Sequence, residues 1–597
     1  MPGITGIISA DPARACEHSV RSMVAVMQHE PFYRSGSTHH AGAGVAAGWA
    51  VHPQSFADSN PIWNEAHDVC LVFSGEVFSD SRSHTDLLNA YAKAGPAFID
   101  HLNGTYCGLL IDLRRNTAIL FNDRYGLGRV YLHDGTSAVY FASEAKSLLR
   151  VLPATRQLDA TALAEFAACG CALEDRTLFA GVSLLPPASR WTFLGGHLVK
   201  KEIYFDVKTW DALPALSEGD YYEQLRSTFP KAVRKQFGGG MSGRPVGMSL
   251  TGGLDGRMIM ACSGQDAGAL PCYTFGGSYR DCSDVSLARK MARDCGQTHQ
   301  VITVDEPFLR QFASLAEKAV YVSDGAMDVT GAVELFANAQ ARQIAPVRMT
   351  GNYGSEILRH NVAFKAQGLD AQLFNTDFLR LGDAANATYT RATQGRVLSA
   401  ITMKQVPWFH HARLSLEQSQ LTMRSPYLDN DVVRLAYQSP LGQAYSKAPA
   451  LRFVADAKPS LSKIPTDRGL LHRPTPALTQ LNHYFQEFTF KAEYAYDYGM
   501  PQWLVPVDKA LKAWRPERLF LGRHKFYHFR VWYRDRLSAY LKEVLLDPKA
   551  NERPHLAPGG LKRLLNEHLS GVRNHTSALH QALSIELMYR QLIERKW

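Results

Sequence analysis

Cysteine is scarce and scattered, with nine residues in a chain of 597. The one close pair, Cys169-Gly-Cys171, has neither zinc spacing nor partner ligands nearby, which excludes a zinc site and leaves free buried thiols as the expectation. No apolar run approaches the roughly 20 residues a membrane-spanning helix needs, and the opening Met-Pro-Gly-Ile-Thr-Gly-Ile-Ile-Ser lacks the basic start of a secretory signal. A cytoplasmic protein with no membrane partner is therefore expected. Basic residues are nowhere gathered into a run, and the net charge of +9 is modest for this length. A nucleic-acid partner is not indicated; an anionic small molecule accounts for the sign equally well. Internal repeats and low-complexity runs are also missing, so a repeat architecture is excluded.

What is present is a globular composition, 46% hydrophobic and 20% charged, in a chain too long for one core. Two patterns divide it. Residues 1 to about 205 read as short strands and turns: Ile4 to Ser9, Val69 to Phe73, Tyr106 to Asp112, Thr117 to Asn122 and Val139 to Ala142, then a helix near Ala160 to Cys169. From about Tyr221 strands alternate with helices, predicting strands at Pro271 to Phe275, Gln300 to Val304 and Val347 to Thr350 and a helix at Val285 to Cys295. Such alternation means a parallel sheet wound with helices, whose ligands sit at the carboxyl ends of the strands. Beyond Leu358 strand signals stop and helices dominate, including two long amphipathic ones at Phe526 to Leu546 and Leu579 to Ile593.

The chain is organised around Met248-Ser-Leu-Thr-Gly-Gly-Leu-Asp-Gly-Arg257. Val246, Met248 and Leu250 alternate like a buried strand, Thr251 to Gly253 cannot continue it, and Met258, Ile259 and Ala261 resume as a helix. A strand, a glycine turn and a helix start make an anion site, because converging backbone N–H groups add to the helix dipole. An acid in the first turn, Asp255, points to a divalent cation beside the anion. The plainer alternative is an ordinary strand-to-helix turn with a capping Asp. A second loop, Gly351-Asn-Tyr-Gly-Ser-Glu356, also leaves a buried strand through glycines and ends on an acid; there the alternative is that Glu356 caps a helix.

Thr251-Gly-Gly-Leu-Asp255 resembles the Ser-Gly-Gly-x-Asp pyrophosphate loop of the ATP pyrophosphatases, and the chain resembles an asparagine synthetase nearly end to end. Gly351 to Glu356 is similar to the loop that supplies a second magnesium contact in that family, in a form also found in β-lactam synthetase. Arg424-Ser-Pro-Tyr-Leu-Asp429 resembles the family's Arg-x-Pro-Phe-Leu-Asp element. In the first part, Leu102-Asn-Gly104, Asn122-Asp-Arg-Tyr-Gly-Leu-Gly128, Ser143-Glu-Ala-Lys146 and Leu184-Leu-Pro-Pro187 resemble landmarks of the glutamine amidotransferase domain.

The resemblance implies an α+β Ntn-hydrolase-like domain over residues 1–205, followed at 215–597 by an α/β parallel-sheet ATP-pyrophosphatase domain with a helical C-terminal part. It implies ATP and Mg2+, with Thr251, Gly252, Gly253, Leu254, Asp255, Gly256, Arg257, Phe275 and Gly351 around the nucleotide. Asp255 and Glu356 would hold the metal, and Tyr353 would stand by the reacting carbonyl. Asp370, Asp377 and Asp383 are alternatives for an acid to complete a base with Tyr353. The family's transition-state lysine falls near Lys463 and Arg468, both candidates, although the spacing differs and either fits a solvated surface charge. Arg257 is expected to reach a phosphate or to pair with Asp255.

The implied glutaminase is dead. Its nucleophile is a cysteine after the initiator methionine, and here position 2 is Pro2, with neither thiol nor primary amine. Glu30, Ser74 and His84 replace three further residues of that pocket, and Cys16 is the one rival nucleophile. The reading is an AMP-forming, ATP-dependent carbon–nitrogen ligase. It joins a small-molecule or peptide carboxylate to an amine without internal glutamine hydrolysis. A lasso-peptide macrolactam or β-lactam cyclase and a non-catalytic scaffold are the alternatives. The oligomeric state stays open, a homodimer included.

Overall fold

The computed structural model describes residues 2–11, 14, 16–78, 85–238, 244–472, 476–499, 502, 505, 510, 514, 517 and 521–597. Its first part is built from two six-stranded antiparallel sheets. One runs in the order Ser183–Leu184, Tyr131–Asp134, Val139–Ala142, Gly3–Ile8, Val45–Val51, Arg34–His40, and the other His197–Ile203, Ser189–Leu194, Thr117–Asn122, Gly104–Asp112, Val69–Val77, Ile62–Trp63. Inner-facing residues of both, among them Ile4, Val72, Leu110, Ile119 and Phe141, share one core. Strands buried on both faces, such as Gly3–Ile8 and Val45–Val51, are almost wholly apolar or small because helix Glu17–Ala25 covers the outer side with Val20, Met23 and Val24. The α+β layering read from the sequence is what forms.

The second part is a five-stranded parallel sheet in the order His299–Val304, Cys272–Gly277, Val246–Ser249, Val347–Thr350, Thr422–Arg424. Val246–Ser249 is the central strand, and Val347–Thr350 is its parallel neighbour with Ser249 opposite Thr350. The chain therefore leaves the sheet at the same level at Leu250 and at Gly351, which places the glycine turn and the acid-tipped loop side by side.

Two expectations need correction. Strands do not stop at Leu358, since Thr422–Arg424 adds the fifth; three residues are too few to show alternation. The helix expected at Phe526 to Leu546 is two, Phe529–Arg534 and Ser538–Leu545, separated at Asp535 to Leu537. Both halves keep the same apolar phase, so periodicity alone does not reveal the break. The expected Leu579 to Ile593 helix forms, as Thr576–Met588 extended by a wide π turn to Ile593.

The two parts share a core. One apolar cluster joins Ile7, Leu149 and Phe166 of the first to Phe312, Phe529 and Leu583 of the second. No helix among the described residues is long and apolar enough to cross a membrane.

Candidate active site

Asp255 lies in the first turn of helix Leu254–Cys262. The glycines of the acid-tipped loop allow that loop to lie against it: a Cβ at Gly354 would come within 2.6 Å of Asp255 Oδ1, and one at Gly351 within 2.6 Å of the Gly256 nitrogen. Tyr353 supports the approach by adopting φ 70°, a left-handed conformation rare for a residue with a Cβ. Glu356 follows in the first turn of helix Gly354–Arg359, accepting from Ser355 Oγ at 2.8 Å. Both acids line one cavity of about 1080 Å³ at the carboxyl ends of the strands.

The electrostatics suit a cation. Burial pushes the Asp255 carboxyl above its ordinary value, opposed by Arg359 and reinforced by Glu356 and Asp467. Arg359 pairs with Asp255 Oδ2 at 2.7 Å, so Arg257 is not its partner. Asp255 Oδ1 is buried with no hydrogen-bond partner. A hard divalent ion held by one or two carboxylates, its remaining positions taken by phosphate oxygens and water, matches this donor set. Among the described residues no cluster of three or more His, Cys, Asp or Glu offers a fuller metal cage.

Of the other residues expected at the nucleotide, Thr251, Gly253, Gly256, Phe275 and Gly351 line the cavity. Gly252, Leu254 and Arg257 do not. Leu254 is buried in the apolar core behind the turn. The Gly252 N–H donates to Asp284 Oδ1 at 2.7 Å, a neighbour that sequence reasoning missed because Asp284 opens the next helix. Burial pushes the Asp284 carboxyl up to about 6, with Asp467 adding to it. Arg257 is buried and donates to the carbonyls of Gly252, Leu461, Ile464 and Pro465. It fastens the 461–467 segment to the glycine turn, where the Asp467 N–H also meets the Gly252 carbonyl at 3.1 Å.

That segment carries the two cationic candidates. Lys463 is exposed and outside the cavity. The Arg468 guanidinium stacks on Phe490 at 3.4 Å and pairs with Glu487 at 3.3 Å and Asp467 at 3.4 Å. Its charge is felt at Asp284.

Tyr353 lines the cavity, and burial, followed by Glu417 and Glu356, drives its hydroxyl far above the ordinary phenol range. None of the aspartates considered beside it joins it: Asp377 and Asp383 are exposed, and Asp370 accepts from the Gln372 N–H. The acid at the cavity is instead Glu417, on helix His411–Gln420. It is buried against Arg413 at 3.0 Å and Arg348 at 3.4 Å, and its Oε2 has no partner. The sequence holds no local signal for it; its helix directly follows a ten-residue π-helical stretch, Ile401–His410.

The positions that the resemblance places in a glutaminase pocket have these partners. Pro2 is half-buried, and His84 lies outside the described residues. Glu30 accepts from Lys318 at 2.5 Å and Gln420 at 2.6 Å, both from the second part. Ser74 is buried, while Glu76 binds Arg424 through both oxygens. Cys16 precedes helix Glu17–Ala25, its thiol lowered by hydrogen bonds with Ser19.

Comparison with known proteins gives two matches along the chain. A glutamine amidotransferase domain description matches residues 1–204 and an asparagine synthase description residues 224–454. Asparagine synthetase [glutamine-hydrolyzing] 3 of Bacillus subtilis is 26% identical over 301 residues, 47% of each chain. Asparagine synthetase [glutamine-hydrolyzing] 1 of the same organism is 23% identical, covering 60% of this chain and 58% of that one. A probable asparagine synthetase of Schizosaccharomyces pombe is 22% identical, covering 67% and 76%. The match to the first of these spans about half its length.

Proposed function

The chain is a member of the asparagine synthetase family, and from that premise we propose that it is an ATP-dependent, AMP-forming ligase that joins a carboxylate to an amine without hydrolysing glutamine. The observation that carries this is the pairing of Asp255, with its buried unpartnered Oδ1, and Glu356 on one cavity beside the glycine turn.

A carboxylate resists attack by an amine until one oxygen becomes a leaving group. Attack of that oxygen on the α-phosphorus of ATP breaks the bond to the β-phosphate and releases pyrophosphate. Thr251 and Gly253, at the glycine turn on the cavity, would hold the pyrophosphate. Asp255 and Glu356 would hold Mg2+, which supplies neutralising charge for the departing anion when bound. Attack of a neutral amine on the resulting acyl adenylate then expels AMP. With an ordinary pKa of about 8 to 10, the amine needs a base or a dry pocket. Glu417 Oε2, which accepts from no donor and lines the same cavity as Tyr353, takes that proton.

The glutaminase positions support an amine that comes from elsewhere. Pro2 cannot act as nucleophile, and Glu30 and Glu76 are held by residues of the second part. An amine already on the substrate, as in a macrolactam or β-lactam closure, removes any need for ammonia. Pyrophosphate release from ATP over a panel of carboxylates, with glutamate release from glutamine followed in parallel, tests the reading. Carboxylate-dependent pyrophosphate without glutamate is expected; failure to bind ATP and release pyrophosphate would leave a scaffold.

A further inference from the structure

The cavity continues well past the glycine turn. From Tyr353 contact passes to His410, with ring centroids 5.5 Å apart, and to Phe409 at 5.6 Å. A Cβ at Gly170 would meet the Phe409 ring at 2.9 Å, which brings in the end of helix Ala160–Cys169 from the first part of the chain. The Gln581 amide donates to the Ala167 carbonyl at 2.8 Å and ties that end to helix Thr576–Met588. Three distant segments thus enclose a far chamber whose lining includes Phe166, Met327, Phe409 and Tyr498.

Two features of the chamber select its occupant. The cavity's two arginines are already held: Arg413, whose side chain is half exposed, by Glu417 at 3.0 Å and Glu334 at 3.1 Å, and the buried Arg348 by Glu417 at 3.4 Å and the Asn338 amide oxygen at 2.9 Å. Among the described residues Lys365 is the remaining cation of the lining, and it is exposed. A second carboxylate, such as aspartate carries, would be desolvated without a cation of its own, which is costly. In contrast, His580 is 4% exposed and lines the chamber with Nε2 unpartnered, its Nδ1 2.7 Å from the Tyr533 hydroxyl. Burial lowers its pKa below the ordinary imidazole value, with Asp328 and Asp497 opposing. Asp328, whose charge reaches His580 and which accepts from the Thr330 N–H at 3.0 Å, also lines the cavity, so a neutral hydrogen-bonding group suits the unpartnered His580 nitrogen better than a second carboxylate.

We propose that the far chamber is the subsite for the body of the acyl substrate, and that this substrate is a monocarboxylic acid with a bulky apolar or aromatic body carrying a neutral amide, not aspartate. The inference rests on the ligase reading above and names its substrate class.

The test is pyrophosphate release by the full-length protein with MgATP and two probes, N-acetyl-phenylalanine and aspartate with ammonia, beside direct measurement of ATP binding. Stimulation by the apolar acid and none by aspartate is expected. His580→Leu should raise KM for N-acetyl-phenylalanine by about tenfold, the loss of one neutral hydrogen bond, and leave kcat nearly unchanged. Stimulation by aspartate alone would overturn the substrate class and keep the ligase. Absence of ATP binding would remove the ligase reading, and this inference with it. The comparison of the two acids on the unmodified protein stands even where His580→Leu does not fold.

Discussion

Glu76, from the first part of the chain, grips Arg424 of the second through both carboxylate oxygens at 2.7 Å, and both side chains are buried. Arg424 also donates to the Gln236 carbonyl at 2.7 Å, and its neighbour Ser425 donates to the Asn352 carbonyl at 2.6 Å in the acid-tipped loop. A residue of the first part thus anchors the strand beside the acid-tipped loop. Removing one partner strands a buried charge, so Glu76→Gln or Arg424→Met alone should cost about 3–5 kcal/mol. The Glu76→Leu, Arg424→Leu double variant should cost less than the sum. Denaturant unfolding of the three proteins measures it.

Asp123 sets a pH dependence. Its carboxylate is fully buried at the end of strand Thr117–Asn122 and accepts from the N–H groups of Tyr106, Tyr125, Leu127 and Gly128. Burial outweighs those donors and pushes the carboxyl up to about 6. A folded value above the unfolded one, about 3.9, means the native protein binds the proton more tightly. The contribution is fully present below about pH 4 and is lost as pH rises through about 6. Asp123→Asn should flatten the stability profile in that window. An unchanged slope in thermal unfolding between those pH values would assign it to other groups.

Lys463 and Arg257 should separate cleanly. Lys463→Ala, on an exposed side chain outside the cavity, should change stability by less than about 0.5 kcal/mol and leave carboxylate-stimulated pyrophosphate release unchanged. Arg257→Met deprives the Leu461, Ile464 and Pro465 carbonyls of their buried donor, at roughly 1–3 kcal/mol per group left unsatisfied. Unfolding and nucleotide titration together report it, with weaker ATP binding expected as the 461–467 segment loosens.

The regular parts of this architecture were legible in the sequence because their physics is local. Thr117–Asn122 and Val347–Thr350 show their strands through apolar pattern, and the glycine turn marks its own helix start. What escaped was set by distance along the chain. Glu417 lines the cavity from a helix that follows a π-helical stretch, Arg359 meets Asp255 through tertiary packing, and Asp284 takes the Gly252 N–H from the neighbouring strand's helix. Arg257 looked like a phosphate ligand from its place in the motif, yet carbonyls of a segment two hundred residues away claim it. Pattern places a residue on an element; it does not say which remote group will face it.

The central claim is that Asp255 and Glu356 share a cation that brings the triphosphate to the glycine turn. Calorimetric titration of ATP into the protein, with and without Mg2+, tests it most directly on the unmodified chain and on Asp255→Asn and Glu356→Gln. The account predicts Mg2+-dependent binding that each substitution weakens by at least about tenfold, the loss of one charge-assisted contact, with folding retained by thermal melt. Equal affinity of both variants and the unmodified protein for MgATP would contradict it.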